Sequence, residues 1–94
     1  MEFWWTGKKL ETVTPFQSKL LQALLDGPKR ETQLVQILFP KRKLGPSFHK
    51  AHVMNGLMRL MKRGLVQITE RKHYHNPTTG GYSDDTWELR RHVP

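Results

Sequence analysis

Lys41, Arg42, Lys43, Lys50, Arg59, Lys62 and Arg63 all fall between Thr32 and Thr69, a stretch with no Asp or Glu. Cations gathered without acidic neighbours suit a line of phosphates, because each neutralised phosphate releases condensed counterions. A face built only for solubility normally interleaves both signs. Inside the same stretch Asn55 and Arg59 stand four residues apart, near enough on a helix to share one face. An Asn side chain matches the donor and acceptor of an adenine edge, and an Arg fork matches guanine. The plainer alternative is a solvated helix surface. Five His residues raise the question of a metal. His49 and His52 lie one helical turn apart, and His73 and His75 would share a strand face. Two-His pairs without any Cys are a thin ligand set, so polar contacts are expected of them, with no metal and no cofactor. No nucleophile has a base evident beside it, no acids pair in an evident cleft, and Gly80-Gly81 belongs to a turn. A binding protein is expected, not an enzyme.

The whole composition agrees with a polyanionic partner. Sixteen Lys and Arg against eight Asp and Glu give a formal charge of +8 and an isoelectric point near 10.2, a field that attracts nucleic acid before acidic membranes or proteins. Ninety-four residues fit one domain with one core. No apolar stretch is long enough to span a bilayer. The first ten residues carry two Trp, two Lys and a Glu, unlike a secretory signal. The absence of Cys excludes a disulfide scaffold and fits a reducing, cytoplasmic setting.

The elements that must position these groups are legible from spacing. Residues 1–13 hold Phe3, Trp4, Trp5, Leu10 and Val13 without a clean period, and read as an arm packed on the body or on a second subunit. Thr14-Pro15-Phe16-Gln17 is a helix start with a capping box and Pro at the first helical position. Phe16, Leu20, Leu21, Leu24 and Leu25 follow at helical spacing until Asp26-Gly27-Pro28. A second helix is expected from about Glu31 to Phe39, stopped by Pro40. A basic connector, Lys41 to Pro46, leads to a third helix ending at Gly64. At roughly 100° per residue, Val53, Met54, Leu57, Leu60 and Met61 form its apolar stripe, with His52, Asn55, Gly56, Arg59, Lys62 and Arg63 opposite. After Gly64 the alternation of Val66 and Ile68 reads as a strand. The turn cluster Asn76 to Gly81 and a second strand from about Ser83 to Arg91 complete a hairpin, closed onto the helices by Trp87. Residues 92–94 are expected as a tail.

Three helices followed by a hairpin, with the run Leu57-Met58-Arg59-Leu60-Met61-Lys62-Arg63-Gly64-Leu65-Val66, resemble the recognition-helix end of small winged helix-turn-helix regulators. The likeness covers about residues 14–91. It implies an α+β, mainly α domain with a C-terminal β-hairpin wing, and double-stranded DNA as partner, in a transcriptional regulator. By position, His49, His52, Asn55 and Arg59 would face the major groove, His49 nearest the apolar edge. Lys41, Arg42, Lys43, Lys50, Lys62 and Arg63 would touch phosphates, and Arg71, Lys72, His73 and His75 would lie on the wing. Asp84 and Asp85, on the returning strand, stand where they could pair with Arg71 or Lys72. Reading two half-sites would need a homodimer, through Phe3, Trp4 and Trp5. Two rival readings remain at this point. One is a protein-interaction adaptor. The other is an RNA binder that stacks Tyr74 and Tyr82 on unpaired bases.

Overall fold

The structure of the protein, a computed structural model, describes residues 2–41, 46–76 and 80–90, and only the backbone at 46, 47, 73–76 and 80–83. Strands β1 (Glu2–Trp5) and β2 (Leu10–Val13) pair antiparallel ahead of the first helix, Trp5 opposite Leu10 and Glu2 opposite Val13. The expected arm is thus a hairpin. Alternation turns Val13 and half-buried Trp4 onto the core, while Phe3, Trp5 and Leu10 are exposed.

Helix α1 (Pro15–Ala23) starts at the capping box expected of it. Thr14 Oγ1 accepts from the Gln17 backbone N–H at 3.1 Å, and Gln17 Oε1 accepts from that of Thr14 at 3.1 Å. A two-residue strand, β3 (Lys29–Arg30), leads directly into α2 (Glu31–Leu38). Helix α3 (Pro46–Lys62) is the longest element. It ends in a Schellman turn: Gly64 adopts φ 76°, its N–H reaches the Met61 carbonyl, and the Leu65 N–H reaches that of Leu60 at 3.0 Å. Gly64 is needed there because an L side chain resists that φ.

The hairpin expected after α3 is broken in the middle, and Gly80 and Gly81, expected in its turn, are extended in a strand. β4 (Val66–Glu70) pairs with β7 (Thr86–Leu89), and β5 (His73–Asn76) pairs with β6 (Gly80–Ser83), all antiparallel. β3 pairs with the other edge of β7, giving a sheet of order β3-β7-β4. Arg71-Lys72 and Asp84-Asp85 form the break. There the Asp84 N–H donates to the Lys72 carbonyl at 2.9 Å, and Asp85 Oδ1 accepts from the Lys72 backbone N–H at 3.1 Å. Asp84 also accepts from the backbone N–H and hydroxyl of Thr32, at 3.1 and 3.0 Å. The two aspartates therefore bind the base of the hairpin to the first turn of α2. Neither carboxylate takes the Arg71 or Lys72 side chain.

Between the helices and the sheet lie Leu20, Leu21, Leu24, Leu34, Val35, Val53, Leu57, Leu60, Leu65, Val66 and Trp87, all buried. The described residues form a small α+β fold of three helices and short antiparallel sheets. No helix among the described residues is long and apolar enough to cross a membrane.

Candidate functional site

The buried side of α3 runs through His49, Val53, Gly56, Leu57 and Leu60. Relative to the stripe expected from the sequence, the helix is turned by roughly 50°, half a residue step. Met54 is only half-buried and Met61 is 37% exposed, while His49 and Gly56 move inside. The cause is local. A Cβ on Gly56 would stand 2.7 Å from Leu20 Cδ1 and 3.1 Å from Phe16 Cε1, so the missing side chain is what lets α1 and α3 approach. Gly56 serves helix packing, not access by a partner.

His49 is accordingly not a surface reader. It is 5% exposed, stacked on Phe39 with ring centroids 4.3 Å apart, and neither ring nitrogen has a hydrogen-bond partner among the described residues. An aromatic neighbour at the C-cap of the preceding helix draws the ring inward, which helical spacing in α3 alone could not reveal. His52, one turn on, stays exposed with one side of its ring against Phe16 at 4.2 Å. His52, Asn55 and Arg59 come together, lining with Phe16 and Gln17 of α1 and its N-cap Thr14 a depression of about 240 Å³. Asn55 and Arg59 are exposed and have no hydrogen-bond or ion-pair partner among the described residues.

The expected phosphate contacts divide. Lys62 is exposed beside Arg59 on the outer side of α3, and Lys41 is exposed at the end of α2's following turn. Arg63 is engaged by the N-terminal hairpin instead: its Nη2 donates to Glu11 Oε2 at 3.1 Å and to the Thr12 carbonyl at 2.6 Å. Glu11 also meets Lys9 at 3.2 Å, and hydrogen bonds from Lys9 and then Arg63 hold its carboxyl below the usual range. Lys50 is half-buried, with its ammonium 4.0 Å from Glu31 Oε1. Both cations are thereby removed from the free set, because acids from outside the acid-free stretch fold back to them. Arg42 and Lys43 lie outside the described residues.

On the C-terminal hairpin Arg71 is exposed, and Lys72 extends its ammonium to within 3.9 Å of Glu70 at the surface. The side chains of His73 and His75, like those of Tyr74 and Tyr82, lie outside the described ones. The backbone places His73 opposite Ser83 and His75 opposite Gly81. No three His, Cys, Asp or Glu side chains gather as metal ligands among the described residues.

Residues that sequence reading passed over complete the outer face of α3. Phe48, Ala51, His52, Asn55, Met58, Arg59 and Lys62 are all exposed. Phe48, Asn55 and Lys62, seven apart, form the central row, with His52 and Arg59 on one flank and Ala51 and Met58 on the other. The seven-residue recurrence was present in the chain. Attention to charge alone hides its apolar members. No acidic side chain occurs on the face, and three of the eight acids, Glu31, Asp84 and Asp85, are buried elsewhere. The accessible surface is therefore more cationic than the formal +8 suggests.

No protein family, curated protein or solved structure compared with the chain matches it.

Proposed function

We propose that this protein is a winged helix-turn-helix module that binds double-stranded DNA, as a transcriptional regulator and not as an enzyme. The observation that carries the reading is the outer face of α3: exposed from Phe48 to Lys62, free of acid, and bearing Asn55 and Lys62 on its central row with Arg59 beside them. The topology supports it, since β3 between α1 and α2 pairs with the returning strand β7, and β5–β6 continues the hairpin as a separate two-stranded pair, the place a wing tip would take. In this reading α3 enters the major groove, Asn55 and Arg59 meet base edges, and Lys62 and Lys41 meet phosphates. Arg71 and Lys72, at the root of the wing, reach the neighbouring backbone or minor groove. Two modules join through the outward residues of the N-terminal hairpin, Phe3 and Trp5. Trp4, also expected in that role, is partly buried against its own core and offers less surface to a second copy.

Binding to duplex DNA, single strands and structured RNA, each across a range of salt, tests the proposal. Duplex preference with a linear fall of log affinity against log salt is the expected result. Arg59→Ala should weaken a preferred duplex by about 1–3 kcal/mol and flatten its advantage over random sequence. Lys62→Ala should weaken every duplex alike and reduce the salt slope by about one. Arg63→Ala should leave that slope unchanged, because its guanidinium is held by Glu11 and Thr12. A protein that ignores duplexes and binds only RNA or an acidic peptide would overturn the reading.

A further inference from the structure

A helix face devoted to phosphate would be filled with Lys and Arg. The face of α3 instead exposes Phe48 (57%) and Met58 (44%) to water, with Ala51 between them. These apolar groups share a surface with Arg59 and Lys62 and have no acidic neighbour, so their partner must be anionic at its rim and partly apolar at its floor. An acidic peptide groove is one such object in principle. The duplex major groove fits more closely: phosphates line its edges, and the 5-methyl group of thymine is the apolar feature that base pairs display there. The positions along α3 agree with this. The N-terminal residues of a helix laid in the groove contact base edges, and Phe48 and Ala51 sit there, while Lys62 stands at the far end. Phe48 and Ala51 flank Asn55 within two turns, on the face that Asn55 centres.

We propose that Phe48 and Ala51 read thymine methyl groups, so that the module selects sites in which thymines lie beside the adenine met by Asn55. The inference rests on the duplex-DNA reading and adds to it the chemistry of selection. The face requires nothing of its own chain to move, because all three residues are already exposed.

The test compares a duplex selected from a random pool with its counterpart in which every thymine is replaced by uracil. The two pair identically and differ only in the 5-methyl group. Restoring thymine one position at a time then locates the methyl groups that matter. Loss of about fourfold in affinity per contacted methyl is expected, the worth of burying one such group. Phe48→Ala should abolish the thymine preference at its position and Phe48→Leu should keep most of it. Both variants alter an exposed side chain, and thermal melting checks that the fold is intact. Equal binding of the thymine and uracil duplexes by the unaltered protein would overturn the inference and leave the DNA reading standing. A thymine preference that survives Phe48→Ala would overturn the role given to Phe48. Absence of duplex binding, with retention of an acidic peptide or RNA in the same assay, would overturn both.

Discussion

Glu31 is the residue whose chemistry the fold changes most. It is fully buried, its Oε2 accepts from the Trp87 indole N–H at 2.9 Å, and its Oε1 has no hydrogen-bond partner among the described residues. Burial pushes its carboxyl up, more than the Trp87 bond pulls it down, and nearby Asp85 adds to the rise. An acid whose folded value is raised binds its proton more tightly in the folded state. Its stabilising contribution is complete below the ordinary value near 4.5 and is lost as pH rises through the raised one. Glu31→Gln keeps an acceptor for Trp87 and removes the buried charge. The variant is expected to unfold at higher denaturant than the parent at pH 7, with the difference shrinking near pH 4. Equal midpoints at both pH values would show that the carboxyl is as well solvated in the fold as in the open chain. The Arg59 and Lys62 variants belong to this scale also, since each tests one side chain on one face.

Elements here are joined by small residues and backbone groups more than by the charged pairs that a sequence advertises. Gly56 sets the separation of α1 and α3, and Gly56→Val would drive branched carbons into Leu20 and Phe16. A cost of about 1–3 kcal/mol is expected from overpacking, read by chemical denaturation. A loss within a few tenths would mean that Leu20 simply swings aside. The base of the wing is fixed in the same way, by Asp84 and Asp85 on the backbone N–H groups of Thr32 and Lys72. Periodicity revealed all three helices and the capping box of α1, because these follow from contacts three or four residues apart. The strand β3 escaped it: two residues have no period, and Lys29 and Arg30 are extended because β7 lies alongside. Missing β1 and β2 has a related cause. Phe3 and Trp5 are apolar yet exposed, which breaks the inside-outside alternation that marks a strand.

At the scale of the molecule, burial of Glu31, Asp84 and Asp85 concentrates accessible charge on the positive side, and the N-terminal hairpin turns Phe3, Trp5 and Leu10 outward. If that hairpin joins two copies, sedimentation should show a dimer at high concentration, and Trp5→Lys should return it to monomer without loss of folding. Monomer alone at high concentration, with and without DNA, would remove the dimer from the proposal. The sequence by itself determined the helices, the Gly64 turn into β4, the excess of cations and the acid-free stretch, since each depends on neighbours in the chain or on composition. Tertiary structure alone decided which face of α3 looks outward. Phe39 captures His49, Leu20 and Phe16 capture Gly56, Glu11 takes Arg63, and Glu31 draws Lys50 inward. Those partners come from other elements, so no reading of the helix in isolation could place the boundary between its buried and exposed sides.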